Sequence, residues 1–331
     1  MTTSTTQPPL ITVLGSLNMD LVSYVPHHPL PGETLTSSRF AVSPGGKGAN
    51  QAVACAKLSR SQPSSTTTTT NTTNAAPTAR IRMLGAVGQD TYGDQLKSNL
   101  SAFGVDVSGV SAPPSLKTGL AIIIVDEPTG QNRIVLSPEA NHSLQSSQFS
   151  SPRSLGDPLP DLLIMQLEIP LPTVLAALRA ARGAGVRVLL NPAPAQELPA
   201  EAYEGLAHLV VNETEASILG GVSESDLDAE SGLEAVGRTF LKRGVQNLII
   251  TLGGRGVFYM SAGGRKGLVP AEKARVVDTT AAGDTFVGRY ALDVVCGDFS
   301  IEDAVRKANR AAAKTVERLG AQDSIPWRDE L

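Results

Sequence analysis

Asp284 follows a run of small residues in the segment Asp278–Phe286 (DTTAAGDTF), where the pattern opens a helix. A carboxylate in a first helical turn can take a proton from a hydroxyl. The side chains of Ala281, Ala282 and Gly283 are too small to block a ligand. Their N–H groups could therefore converge on developing negative charge, where preorganised donors are worth on the order of 3 kcal/mol each in a transition state. The plainer reading is a first-turn acid that only complements the helix dipole. A second glycine-rich segment, Ser43–Ala54 (SPGGKGANQAVA), sets Gly45, Gly46 and Gly48 just ahead of another helix. Such a turn lets backbone N–H groups approach an anion or a polyol, and it also serves as an ordinary tight turn. It is not a Walker loop, because Lys47 is followed by Gly48 and not by Ser or Thr. The dinucleotide fingerprint G-x-G-x-x-G is missing as well.

Three further places carry polar groups at strand ends. Asn18 and Asp20 follow the first strand; their side chains suit vicinal sugar hydroxyls, and both types are common turn formers. Glu168 closes an otherwise apolar strand, LLIMQLE, and a carboxylate at such an end is better placed for a ligand than for packing. Asn212–Glu215 (NETE) follows another strand; its acids suit Mg²⁺ and phosphate, and a capping turn explains them equally well. Four histidines (His27, His28, His142, His208) and two cysteines (Cys55, Cys296) show no metal-ligand spacing, so zinc is set aside.

The elements that must position these groups can be read from pattern. The chain has 331 residues with 41% hydrophobic, enough to bury a full core. Its 28 basic and 32 acidic residues leave a net charge of −4, with no footprint for nucleic acid. The longest apolar run, Leu120–Val125, is too short to span a membrane. Met1–Pro9 is Thr-rich without Lys or Arg, so a flexible tail is expected there and no leader. The expected compartment is the cytoplasm, with the nucleus second.

Strands are predicted at Leu10–Leu14, Leu21–Val25, Glu33–Ser43, Ile81–Val87, Leu120–Val125, Asn132–Leu136, Leu162–Leu167, Val186–Leu190, His208–Val211, Asn247–Leu252 and Arg275–Val277. Helices fit Ala49–Leu58, Tyr92–Phe103, Thr173–Arg182, Leu233–Arg243 and Thr285–Val295. A last helix keeps one apolar stripe from Ile301 to Leu319 and stops at Gly320. Strands separated by helices imply an α/β, doubly wound, mostly parallel sheet flanked by helices. Segments 16–43 and 113–137 lack intervening helices and are expected to form a small β-sheet lid over the crevice. The stretch at about 60–79 is polar and Thr-rich, and reads as a disordered insertion. The expected plan is a tail over 1–9 and one domain over 10–328.

Taken together, GGKGANQAVA and DTTAAGDTF resemble the two signature segments of the ribokinase-like carbohydrate kinase family. Other segments fall in the family's order: GSLNMD, PGET (Pro31–Thr34), QLE (Gln166–Glu168), NPAP (Asn191–Pro194), NETE, TLGGRG (Thr251–Gly256) and GAQDSIPW (Gly320–Trp327). The resemblance implies ATP-dependent phosphorylation of a small sugar, D-ribose at its 5-hydroxyl first of all. Asp284 would be the base, with Ala281, Ala282 and Gly283 as the anion hole. Asn18, Asp20, Gly46, Lys47, Asn50 and Glu168 would bind the sugar. Asn212, Thr251, Leu252, Gly253, Gly254, Arg255, Gly256, Gly283, Asp284 and Asn309 would contact ATP, with Glu215 in the Mg²⁺ network. The family's K⁺ site would fall on Asp278, Thr280, Thr315, Arg318, Gly320 and Ser324, some through backbone carbonyls. A homodimer through the lid is also implied.

Three positions depart from the family pattern. Pro44 stands where an apolar residue usually precedes the glycines, Glu139 replaces the Gly of a G-A-N segment, and Gly254 replaces a Ser. Alternative readings are a kinase for deoxyribose, fructose or a nucleoside, and a catalytically silent sugar- or nucleotide-binding sensor. No aromatic platform for a nucleobase acceptor is evident.

Overall fold

The structure is a computed structural model that describes residues 7–63 and 76–331. Most of the Thr-rich insertion and the first six residues of the tail lie outside the described residues. The first strands are β1 (Leu10–Leu14), β2 (Asn18–Val25) and β3 (Arg39–Gly45), followed by helix α1 (Lys47–Leu58). Next come β4 (Arg80–Ala86), α2 (Thr91–Ala102), β5 (Val105–Ser111), β6 (Gly119–Asp126) and β7 (Asn132–Ser137). The middle of the chain holds β8 (Leu162–Met165), α3 (Leu171–Gly183), β9 (Arg187–Leu190), β10 (His208–Asn212), α4 (Glu213–Gly220) and α5 (Glu230–Lys242). It ends with β11 (Asn247–Thr251), β12 (Val257–Ser261), β13 (Lys266–Val269), α6 (Ala282–Val294) and α7 (Ile301–Thr315).

Nine strands form one sheet in the order β13-β12-β11-β10-β9-β8-β1-β4-β5. All its pairings are parallel except β11–β12 and β12–β13. Strands such as LITVL and LLIM are buried along their whole length, as a sheet covered on both faces requires. Val13, Val210 and Ile249 pack with α1, α2, α6 and α7 on one face. Leu14, Leu209 and Ile250 pack with α3, α4 and α5 on the other. The doubly wound architecture read from the sequence is thus present.

From β1 the chain winds outward to β4 and β5, and then returns to wind the other way from β8. The order reverses between β1 and β8, and ligand crevices form outside the carboxyl ends of strands at such a point. A separate four-stranded sheet, β3-β2-β6-β7, rises there from the two segments expected to leave the main sheet. Pro44 sits on the edge strand of this sheet, where a missing N–H costs little.

Several expectations change. The strand over Glu33–Ser43 begins only at Arg39 and runs on to Gly45. Residues 275–277 form no strand, although the Val277 N–H does donate to the Val316 carbonyl at 2.7 Å. The last helix ends at Thr315 and not at Leu319; a short run of turns leads from there to Gly320. Strands β5, β12 and β13 and helix α4 add to the expected elements. Neither cysteine is paired, and among the described residues no helix is long and apolar enough to cross a membrane.

Candidate active site

Helix α6 brings Asp284 into the crevice. Its N-cap, Ala281, holds the left-handed conformation (φ 60°), which turns the incoming loop into the helix. Of the three expected donors, the Ala282 N–H is engaged with the Thr279 carbonyl at 3.3 Å. The N–H groups of Ala281 and Gly283 have no acceptor among the described residues. A side chain built at Gly283 would meet only open space, so the helix start faces a vacant volume.

Two consecutive amides on α1 grip the carboxylate. Asn50 Nδ2 donates to Asp284 Oδ2 at 3.1 Å, and Gln51 Nε2 donates to Oδ1 at 2.9 Å. A carboxylate has about four lone-pair positions, so this grip orients Asp284 and leaves it able to accept a hydroxyl proton. Gln51 is itself held by Gln166 Nε2 at 2.6 Å and lies 3.0 Å from Asn191 Oδ1.

The sugar-side candidates converge from β2, the turn between β3 and α1, and the loop after β8; that strand ends at Met165 and leaves Glu168 beyond it. Glu168 accepts from Ser16 Oγ at 2.5 Å and from the Lys47 N–H at 3.1 Å. Gly46 has φ 87°, and a Cβ there would lie 2.7 Å from the Asn18 backbone nitrogen. At Gly45 a Cβ would fall on the Asp20 carboxylate and at Gly48 it would lie 2.7 Å from the Ser16 backbone nitrogen, so all three glycines serve the close approach of β1–β2 to α1. Asn141 braces the same corner: its Oδ1 accepts the Leu17 N–H at 2.9 Å, and its Nδ2 donates to Asn18 Oδ1 at 2.8 Å.

The electrostatics follow from this crowding. Burial, then the nearby charges of Glu168 and Asp284, push the Asp20 carboxyl up to about 7. Burial opposes charge on Lys47, but Asp284, Glu168 and Glu215 outweigh it and leave the ammonium harder to deprotonate than usual. Burial also raises Glu215, against the lowering effect of the Asn212 N–H and Lys47.

A cavity of about 230 Å³ joins Lys47 and Asp284 to Asn212, Glu215, Thr251 and Gly283, while Asn18, Asp20, Gly46, Asn50 and Glu168 are not among the residues that line it. Two larger hollows, near Arg265 and near Arg179, are lined by no acidic residue and bring no base to a ligand. Asn212 and Glu215 form a reciprocal cap on α4, at 2.8 and 2.9 Å, so the capping reading of NETE holds while both residues still face the cavity. Leu252, Gly253, Gly254, Arg255 and Gly256 follow Thr251 outside this cavity, and no atom crowds a side chain built at Gly253 or Gly254. Arg255 pairs with Glu213. Asn309 also lies outside the cavity, with its amide donating to the Pro270 carbonyl at 2.8 Å.

Among the described residues no group of three His, Cys, Asp or Glu side chains could hold a metal by itself. A Mg²⁺ ion here fits only as a companion of substrate phosphates, near Glu215, whose Oε1 makes no hydrogen bond among the described residues. The positions matched to a K⁺ site are partly assembled. Asp278 accepts from the Thr280 N–H and hydroxyl at 2.9 and 2.6 Å, and from the Gly320 N–H at 2.9 Å. The Thr315 hydroxyl lies 2.9 Å from Thr285 Oγ1, Ser324 donates to the Ala321 carbonyl, and Arg318 is neutralised by Glu330 at 2.5 Å.

Gln51, Asn141 and Asn191 all fall in segments whose pattern stands out, yet nothing in that pattern marks them as site residues. An amide carries no charge, and only its partner shows its use.

The model of the pfkB family carbohydrate kinase matches residues 8–328. A ribokinase of Schizosaccharomyces pombe is 43% identical over 319 residues, covering 96% of this chain and 94% of its own length. The crystal structure of a Thermotoga maritima ribokinase superposes with a TM-score of 0.79 at 36% identity, covering 97% of each chain. The structure of an Arabidopsis thaliana ribokinase complexed with ribose and ATP superposes at 0.82 with 28% identity, covering 98% of this chain and 97% of that one. A match that runs from before β1 to the end of the GAQDSIPW segment takes in both sheets and every group around Asp284, and the chain belongs to the pfkB family of carbohydrate kinases.

Proposed function

We propose that the protein transfers the γ-phosphoryl group of ATP to the 5-hydroxyl of D-ribose. The observation that carries this reading is the oriented Asp284 carboxylate at the wall of a cavity it shares with Lys47, Asn212, Glu215 and the free Gly283 N–H. Phosphoryl transfer demands positioning and charge neutralisation more than covalent chemistry. Asn18, Asp20, Glu168 and the Gly46–Lys47 turn hold the pentose hydroxyls. Asp284 accepts the proton of the primary hydroxyl as its oxygen bonds to the γ-phosphorus, and the bond to the bridging oxygen of ADP breaks. The N–H groups at the start of α6 and the Lys47 ammonium meet the charge that develops on the phosphoryl oxygens. Asn212, Thr251–Gly256 and Asn309 supply the nucleotide side. Glu215 would hold Mg²⁺ that arrives with the phosphates, where it would neutralise their charge, and the corner made by Asp278, Thr280 and Gly320 would hold K⁺ beside the loop that leads into α6.

ADP release in the presence of ATP and a panel of ribose, deoxyribose, fructose and nucleosides, with and without K⁺, tests this reading. Ribose is expected to be the best acceptor and K⁺ to raise turnover. Asp284→Asn is expected to lower kcat by about 10²–10⁴-fold with little change in sugar affinity, the usual contribution of a general base. Calorimetric binding of ribose and ATP without ADP release would make the protein a sensor.

The small sheet exposes Phe40, Val42, Ile122, Ile134 and Val135. The reading therefore includes a homodimer in which two such sheets cover each other.

A further inference from the structure

The Asn50 side chain must present its NH₂ and not its carbonyl oxygen to Asp284, because reversed it would set two oxygens about 3 Å apart in a buried site. Nothing in Asn50 itself decides this. Asp284 disfavours the reversed amide from one side, and the carboxyl-terminal segment fixes it from the other: Gln322 Nε2 donates to Asn50 Oδ1 at 3.1 Å. Gln322 carries the same ambiguity, which α2 resolves, since Asn99 Nδ2 donates to Gln322 Oε1 at 2.6 Å. The series Asn99 → Gln322 → Asn50 → Asp284 thus runs donor to acceptor in one direction through four elements. Its last three members are at most 8% exposed. The backbone of Gln322 is pinned as well, because the buried Lys57 ammonium donates to its carbonyl at 3.2 Å.

Resting on the kinase reading above, we propose that Gln322 is a positioning residue, fixing the orientation in which Asn50 grips Asp284, and that Asn99 acts one step further out. No charge is relayed, and Gln322 does not touch substrate. Its part is to exclude the reversed amide, in which Asp284 would lose a donor and swing from the acceptor hydroxyl. Chains of hydrogen bonds in a low-dielectric interior make such an arrangement costly to leave half-satisfied.

The test compares Gln322→Met, which keeps length without a donor, with Gln322→Glu, which keeps shape but accepts where the glutamine donates. Both are expected to lower kcat by about 10–30-fold with KM for sugar and ATP within about twofold, the size of one lost buried hydrogen bond. Asn99→Leu, at a less buried position, is expected to lower kcat by about 3–5-fold, as one step removed. In an Asn50→Ala background, Gln322→Met is expected to cost nothing further, since its effect passes through Asn50. A readout independent of turnover is solvent exchange of the Asn50 side-chain amide protons in the resting protein, expected to quicken about tenfold or more in Gln322→Met. Unchanged Asn50 exchange, kcat within twofold of the parent, or losses that multiply in the double variant would each overturn the assignment. Absence of ADP release from the parent protein would instead overturn the kinase reading, and the exchange measurement would still decide the role of Gln322.

Discussion

At the scale of single residues, the site is governed by acids held close together away from water. Asp20 shows the consequence most directly. Its folded-state pKa is raised to about 7 from an ordinary 3.8, by burial first and then by Glu168 and Asp284. A raised carboxyl favours the protein while it is protonated. The contribution is therefore complete below about pH 4 and is lost as pH rises through 7. Asp20→Asn, permanently neutral, is expected to flatten the stability of the ligand-free protein between pH 5 and 8, where the parent should lose on the order of 2–4 kcal/mol. Denaturant unfolding at a series of pH values measures this, and a parent curve already flat in that window would contradict it. None of this could be read from Asp20 in isolation, since the shift arises from burial in the folded chain and then from carboxylates about 150 and 260 positions away.

At the scale of elements, Glu139 answers a question the sequence raises. It replaces a family glycine, and its φ of 46° lies in the left-handed region that a glycine would occupy without strain. It opens the short helical turn Glu139–Ser143, which delivers Asn141 to Leu17 and Asn18. Its own side chain is exposed, so the substitution bears on the backbone of this turn. Glu139→Gly is expected to stabilise the protein by about 0.5–1 kcal/mol, the left-handed penalty less the added freedom of the unfolded glycine. Urea unfolding would show the gain, with kcat within about twofold; a loss of stability would mean that the Glu139 side chain contributes more than its backbone costs. Elements with a strong local signal could be read directly: the mostly apolar β1, the apolar β8, and α7 with its stripe from Ile301. What escaped were β5, whose seven residues mix Ser, Asp and Gly, and the edge strand β13, whose Lys266 and Gly267 give little pattern. Helix α4 was hidden because its capping residues resemble a loop that could bind a metal.

At the scale of the molecule, the second sheet has more apolar surface than one copy covers. Val42, Leu21, Ile122 and Val135 lie in one row across its four strands, and three of them are exposed by 44–61% of their surface. Sedimentation equilibrium is expected to find a dimer. Ile122→Asp combined with Val135→Asp, adjacent cross-strand partners, is expected to give monomer by placing like charges in the interface. A parent that remains monomeric at tens of micromolar would remove the dimer from the reading.

Period and turn chemistry, which are properties of neighbours in sequence, sufficed to establish alternating strands and helices, two departures from that rhythm, and the segments that carry Asp284, the small residues beside it and the glycine turn. Assembly was beyond them. Asp284 is held by residues 50 and 51 and braced through residue 322, and whether its partners offer hydrogens or oxygens depends on amides that are neutral, aperiodic and far apart along the chain. Only closure of the tertiary structure brings such groups within hydrogen-bond distance, and burial there turns ordinary asparagines and glutamines into the parts that aim a carboxylate.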